Sequence, residues 1–76
     1  MTKHLRKRSF VLGGHRTSVA LEAEFWAALE AIAQARGLSL SALVARVDAA
    51  RADPSLPLAS ALRVLALREA AAVTTA

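Results

Sequence analysis

The side chains with the clearest chemistry in this sequence are basic and lie near its start. Ten of the 76 residues are lysine or arginine, and five of these precede the first acidic residue, Glu22: Lys3, Arg6, Lys7, Arg8 and Arg16. The rest of the chain is nearly neutral, so the formal net charge of +4 belongs to this segment. A concentrated basic end is typical of proteins that bind a polyanion, either a nucleic acid or an anionic membrane surface.

The sequence offers few groups for catalysis or metal binding. It contains no cysteine, and its two histidines, His4 and His15, have no carboxylate near them in sequence. It contains no Ser/His/Asp or Cys/His constellation, and no glycine-rich phosphate loop precedes a predicted helix. We therefore expect no catalytic residue, no metal site and no cofactor, and we do not expect an enzyme.

A short apolar run, residues 10–12, follows the basic segment, which is also the order of regions in a signal peptide. The run ends at Gly13 and is far too short for that purpose, and no stretch approaches the length of a transmembrane helix. We therefore expect a soluble, cytoplasmic protein without a membrane partner. Because 55% of the residues are hydrophobic and so short a chain buries little by itself, we also expect self-association.

One segment alternates in character with the period of two that is typical of a β-strand. Val19 and Leu21 lie on one face of this segment, and the other face carries Arg16, Ser18 and Ala20. A single strand cannot satisfy its own backbone hydrogen bonds, so it needs a partner. The simplest source is the same strand of a second copy, paired antiparallel about a two-fold axis.

Two helices are predicted directly after this strand. Apolar residues recur with a helical period over residues 23–36, and Gly37 supplies the stop. Ser39 is the predicted N-cap of a second helix, which fades near Asp53. We expect the strand and these helices from two copies to share one core, formed by Val19, Leu21, Trp26, Leu29, Ile32, Leu43, Val44 and Val47.

A third helix is predicted after a turn over residues 53–57. It covers about residues 58–71 and carries an apolar stripe. Val64 and Leu67 lie off that stripe, so this helix is apolar on more than one face.

Three stretches of the sequence together resemble a known family. They are the strand segment Arg16-Thr17-Ser18-Val19-Ala20-Leu21, the helix end Arg36-Gly37, and the turn Leu38-Ser39-Leu40-Ser41-Ala42-Leu43. They lie within residues 16–48 and resemble the ribbon-helix-helix superfamily, the Arc and MetJ type of repressor. The glycine-leucine-serine-x-serine turn is the most specific part. The lead-in from Lys7 to Thr17 and the closing helix over residues 58–68 resemble a subgroup of short bacterial proteins in that superfamily.

The resemblance implies a mainly α fold with one short β-strand, in which two chains intertwine as a homodimer. Their strands form a two-stranded antiparallel ribbon, and a third C-terminal helix is appended. Such a ribbon enters the DNA major groove, where alternate outward residues contact base edges. Here Arg16 matches O6 and N7 of guanine, and Ser18 can donate or accept. Ala20 offers only an apolar contact, such as one with a thymine methyl group, where many relatives carry a polar residue.

The resemblance also implies phosphate contacts. Backbone amides at the start of the second helix, those of Ser39, Leu40 and Ser41, would hold a phosphate as helix N-termini do. We further predict that the basic residues of the N-terminal segment contact phosphates; these are Lys3, Arg6, Lys7 and Arg8.

The segment before the strand has two interpretations. If Gly13 and Gly14 make a tight turn, residues 9–12 fold back beside the ribbon as a hairpin. Otherwise the segment is disordered until DNA arrives. We accordingly divide the chain into a basic arm with an optional strand (1–15), a ribbon-helix-helix domain (16–53), and a turn with a C-terminal helix (54–76).

The sequence thus predicts a bacterial regulator that binds double-stranded DNA as a homodimer and represses transcription, with a tetramer on repeated half-sites left open. The alternative is an antitoxin that regulates its own synthesis through the same fold and holds a toxin with its third helix. A more remote alternative is an interaction module that binds no DNA, with the third helix as its docking surface and the basic arm on anionic lipid. Only Met1 and Leu5 would anchor it there.

Overall fold

The fold is an antiparallel hairpin followed by three helices. The computed structural model describes the backbone of residues 4–75 and the side chains of residues 4–70. In chain order the elements are β1 (Leu5–Leu12), β2 (His15–Glu22), α1 (Ala23–Ala35), α2 (Leu40–Ala50) and α3 (Leu58–Thr75). The predicted order of strand and three helices is therefore present, with one more strand in front.

β1 and β2 are joined by a two-residue glycine turn. Gly13 and Gly14 have φ values of 57° and 83°, and two consecutive positive φ values are what a type I′ hairpin turn requires. The twist of this turn matches that of the flanking strands. Leu12 and His15 are the pair of opposed residues next to the turn. Of the two interpretations of residues 9–12, the hairpin is the one that the structure shows.

The prediction of one short strand per chain is wrong, because β1 is a strand of eight residues that pairs within the same chain. It begins at Leu5, inside the segment predicted to be a basic arm. Its first half is held by α1, since the indole Nε1 of Trp26 donates a hydrogen bond to the carbonyl oxygen of Arg6 at 2.7 Å. Its second half is held by burial of Phe10 and Leu12.

The core lies between the inner face of the hairpin and the three helices. The ring of Phe10 packs against that of Trp26, with 5.9 Å between their centroids. The eight residues expected to form a core between two chains are buried or, for Ile32 and Val47, half-buried within one chain. The buried apolar side chains are Phe10, Leu12, Val19, Leu21, Trp26, Leu29, Ala33, Leu43, Val44, Leu58, Leu62 and Ala66.

α3 contributes one face to this core and leaves another exposed. Leu62 is fully buried, between the buried Leu58 and Ala66. By contrast, Val64 is 43% exposed and Leu67 is 67% exposed, which confirms that this helix is apolar on more than one face. Burial of the first face makes α3 an integral part of the domain.

The ends of the first two helices follow the predicted signals. Gly37 takes a φ of 69° directly after Arg36, the C-cap of α1, as a glycine that ends a helix usually does. Ser39 is the N-cap of α2, because its hydroxyl oxygen accepts a hydrogen bond from the amide of Ala42 at 3.0 Å. α2 ends at Ala50, a little before the expected end near Asp53.

An ion pair ties the end of β2 to α3. The guanidinium of Arg63 donates to one carboxylate oxygen of Glu22 through Nε at 3.2 Å and Nη2 at 3.0 Å. It also lies over the ring of Phe25, with 5.7 Å between Cζ and the ring centroid. A backbone hydrogen bond at Glu22, and then the hydrogen bonds from Arg63, lower the pKa of this carboxyl group below its ordinary value.

This lowered pKa predicts a pH-dependent contribution to stability. Because the folded-state pKa of Glu22 lies below its unfolded value, the contribution is complete above the unfolded pKa and is lost as the pH falls through the folded one. We expect the stability difference between the wild type and Glu22→Gln to be largest near neutral pH and to shrink below about pH 4. Urea unfolding over a pH series measures it, and parallel curves for the two proteins would contradict the expectation.

Candidate nucleic-acid interface

The hairpin presents one face to the helices and the other outward. Val19 and Leu21 point into the core, so the alternate residues of β2 point away from it. Directly opposite residues of antiparallel strands share a face, and the register therefore places residues of β1 beside them. We call the part of this surface nearest the glycine turn the outer face; its opposed pairs are Arg16 with Val11, Ser18 with Ser9, and Ala20 with Lys7, and the pair Leu5 with Glu22 lies beyond it at the end of the hairpin.

The middle of the outer face is a pair of serines. The hydroxyl oxygens of Ser9 and Ser18 lie 3.0 Å apart in an exposed hydrogen bond. One hydroxyl proton is used between them, so the pair still offers one donor and several acceptor lone pairs to a ligand. Ser9 was not among the predicted site residues. The glycine turn carried the signal for it, since Ser9 and Ser18 stand at equal distances from that turn.

Arg16 is the most versatile donor of the outer face. It is exposed and takes part in none of the four ion pairs found among the described residues. Its neighbour across the hairpin, Val11, is 70% exposed. A guanidinium in this position has its five N–H donors available to a partner.

Two of the predicted phosphate ligands, Arg6 and Arg8, lie on the inner side of the hairpin, where both remain exposed. Arg6 stands opposite Leu21, and Arg8 stands opposite Val19, so both share the face that packs on the helices. Arg8 lies over Trp26, with 5.5 Å between its Cζ and the ring centroid. It also donates to Glu30 at 3.0 Å. Arg8 therefore fastens β1 to α1.

Lys7 is the basic residue of β1 that belongs to the outer face. It is exposed, stands opposite Ala20 and, like Arg16, is in none of the ion pairs among residues 4–70. The predicted contact by Lys3 lies outside the described residues. The hairpin thus places neighbouring basic residues of the predicted arm on opposite faces.

The start of α2 has the groups needed to bind an anion. The first amides of a helix have no acceptor within the helix. The amide of Ala42 is satisfied by Ser39, and those of Leu40 and Ser41 belong to the same first turn. Ser39 and Ser41 are exposed and Leu40 is half-buried. This turn therefore retains N–H donors from which a phosphate oxygen can accept hydrogen bonds, and the predicted phosphate contact stays a prediction.

The far edge of β2 carries no strand in the described part of the chain. The glycine turn makes Leu12 and His15 a hydrogen-bonded pair, and bonded and non-bonded pairs alternate along an antiparallel ladder. The backbone groups of Arg16, Ser18 and Ala20 therefore point to the far edge. Alongside them runs a groove lined by β2 and by residues near the end of α2 and the start of α3: Thr17, Ser18, Val19, Ala20, Asp48, Arg51, Pro57, Leu58 and Ala59.

The described residues form neither a membrane-spanning helix nor a cluster of metal ligands. None of the helices there is long and apolar enough to cross a membrane. No group of three or more His, Asp or Glu side chains in that part of the chain comes together in a way that would hold a metal ion.

Comparison with models of known protein families gives a match over most of the chain. The family model described as a ribbon-helix-helix domain matches residues 5–70, which include both strands, the first two helices and most of the third. The resemblance noted from the sequence is thereby confirmed. No significant match was found among curated proteins or among solved structures. Ribbon-helix-helix domains are generally non-enzymatic and are typical of DNA-binding regulators and antitoxins.

Proposed function

This chain belongs to the ribbon-helix-helix domain family, and on that basis we propose that it is a sequence-specific DNA-binding transcriptional regulator. The observation that supports this function is the outer face, on which Arg16 and the Ser9–Ser18 pair are exposed and point away from the core. The protein acts as a homodimer on double-stranded DNA and represses transcription by occupying promoter sites.

The outer face has the chemistry for direct contact with base edges. A guanidinium binds O6 and N7 of guanine with two hydrogen bonds, and a serine hydroxyl accepts from or donates to several bases. Arg16 and Ser18 take these two roles. Ala20 contributes an apolar contact with a thymine methyl group. The amides at the start of α2 hold a backbone phosphate and fix the protein's orientation on the duplex.

The homodimer forms through the far edge of β2. Exposed strand edges present unpaired amide and carbonyl groups, and a second strand satisfies them. Antiparallel pairing of two β2 strands about a two-fold axis gives a four-stranded sheet in the order β1–β2–β2–β1. The outer faces of the two hairpins then form one continuous surface. Packing of the helices of the two chains against each other, as the family resemblance implies, is part of the same proposal.

A proline at position 20 is expected to abolish this dimer. The amide of Ala20 points to the far edge, so Ala20→Pro removes a hydrogen-bond donor that the partner strand would use. The hydrogen bonds between β1 and β2 do not use this amide and are therefore kept. Sedimentation velocity compares the variant with Ala20→Val, which keeps the amide and suits a strand. We expect a monomer for the proline variant and a dimer for the valine variant. Equal dimerisation of both would rule out pairing along this edge.

The regulator function is tested by selecting bound fragments of the source genome with purified protein at moderate salt. We expect enrichment of a short repeated or palindromic site, because a two-fold dimer binds two half-sites. The spacing of the half-sites reports the dimer geometry. Weak, salt-sensitive binding without enrichment would contradict the proposal and leave only non-specific attraction to phosphates.

The exposed apolar side chains of α3 support a second candidate function, that of an antitoxin. Val64 and Leu67 lie on the side of this helix that the core does not use, and such a face suits a protein partner. Co-expression with the product of the neighbouring gene tests it. A stable complex that is lost on Leu67→Glu is expected for an antitoxin, and a regulator without a toxin partner gives no complex.

A further inference from the structure

We propose that Lys7 contacts DNA phosphates at the rim of the major groove, and that Arg6 and Arg8 make no such contact. This inference rests on the proposed function and extends it, because it divides the basic segment into a residue that binds DNA and residues that lie on the opposite face of the hairpin. It also assigns β1 a role in DNA binding beside that of β2.

The first argument is the orientation of these residues. Lys7 lies on the outer face, in the same cross-strand position as Ala20. Arg8 lies on the inner face and is held by Trp26 and Glu30. Arg6 shares that inner face, and its carbonyl oxygen accepts from Trp26.

The second argument is the width of the sheet. Neighbouring strands lie about 4.8 Å apart, so in a symmetric four-stranded sheet each β2 lies about 2.4 Å from the two-fold axis and each β1 about 7 Å from it. The major groove is about 12 Å wide, or about 6 Å on either side of its centre. The two β2 strands therefore fit between the groove walls, and the two β1 strands meet the walls. Lys7 is thus placed against phosphates rather than against base edges.

The third argument is chemical. Lysine carries a compact, strongly hydrated charge on a flexible stem, which suits a phosphate whose exact position varies with DNA sequence. Lys7 forms no ion pair among the described residues that would have to be broken first. Its contribution is therefore electrostatic and independent of base sequence.

The test is the salt dependence of binding to the selected site for the wild type, Lys7→Ala and Arg6→Ala. The two variants lose the same charge at neighbouring positions on opposite faces, and Arg6→Ala keeps the carbonyl that Trp26 binds. Each lost phosphate contact lowers the slope of log K against log salt by about 0.9, so a dimer that lacks both copies of Lys7 loses about 1.8. When the salt concentration is raised from 50 to 200 mM, the affinity of both proteins for DNA falls. The factor by which it falls is then expected to be about 12 times smaller for Lys7→Ala than for the wild type.

We expect the slope of Arg6→Ala to match that of the wild type, and the base preference of Lys7→Ala to be unchanged. Thermal unfolding of both variants verifies that the hairpin is intact. An unchanged slope for Lys7→Ala, or equal losses for the two variants, would overturn the inference while wild-type site selection upholds the proposed function. Failure of the wild type to select any site would overturn both.

Discussion

Leu62→Ala is expected to lower the free energy of unfolding by about 2–5 kcal/mol, the largest stability effect that we predict for a single substitution. Leu62 is fully buried on the inner side of α3. The substitution removes apolar surface from the core and leaves a cavity that neighbouring side chains fill only in part. Small domains are stable by only about 5–15 kcal/mol, so this loss is a large part of the total.

Chemical denaturation measures this loss, and the same helix supplies the control. Leu67→Ala makes the same chemical change at a position that is 67% exposed, where substitutions usually change stability by less than about 0.5 kcal/mol. A similar, small effect for both variants would show that α3 is not part of the folding unit. Loss of folding in Leu62→Ala alone would agree with the account.

Arg16→Ala is expected to weaken binding to the selected site by about 1–3 kcal/mol, which is about five-fold to 150-fold in affinity. The reason is the loss of two hydrogen bonds to one guanine in each half-site. Because those hydrogen bonds also reject the other bases, the preference at that base pair should relax. Repeating the fragment selection with the variant measures both effects.

The matched control for Arg16 is Arg68→Ala, which removes the same charge from an exposed position on α3. We expect it to keep the wild-type base preference. If Arg16→Ala also kept that preference and lost only affinity, Arg16 would be a phosphate ligand and direct base contact would be excluded for it.

The helices and the orientation of β2 were predictable because they depend on local patterns. A period near 3.6 and the stop at Gly37 placed the end of the first helix at residue 36, and the structure ends α1 at Ala35. Alternation alone assigned Val19 and Leu21 to the core. In each case the signal lies within a few residues of the element that it determines.

The first half of β1 was not predictable, because its stability comes from contacts distant in sequence. Residues 5–8 show no apolar alternation and resemble a solvated basic arm. They become a strand because Trp26, twenty residues along the chain from Arg6, binds its carbonyl oxygen, and because Arg8 reaches Glu30. These contacts between β1 and α1 form only in the folded chain, where α1 packs under the hairpin, and no local pattern in the sequence predicts them.

The candidate site was predictable only in part for the same reason. Alternation placed Arg16, Ser18 and Ala20 on one face, and their role in DNA contact remains a prediction from family resemblance. The division of Lys7 from Arg6 and Arg8 needed the register of the hairpin. A two-residue turn at Gly13 and Gly14 determines that register, but the sequence did not establish that the turn forms.

The most direct test of the central claim is to ask which guanines must be unmodified at N7 for the protein to bind. N7 of guanine lies in the major groove, where an outer face that carries Arg16 is proposed to sit. We predict that DNA methylated at one guanine N7 in each half-site is excluded from the complex with the wild type but is accepted by Arg16→Ala. Indifference of the wild type to N7 methylation, with exclusion of DNA methylated at adenine N3 in the minor groove, would contradict the account.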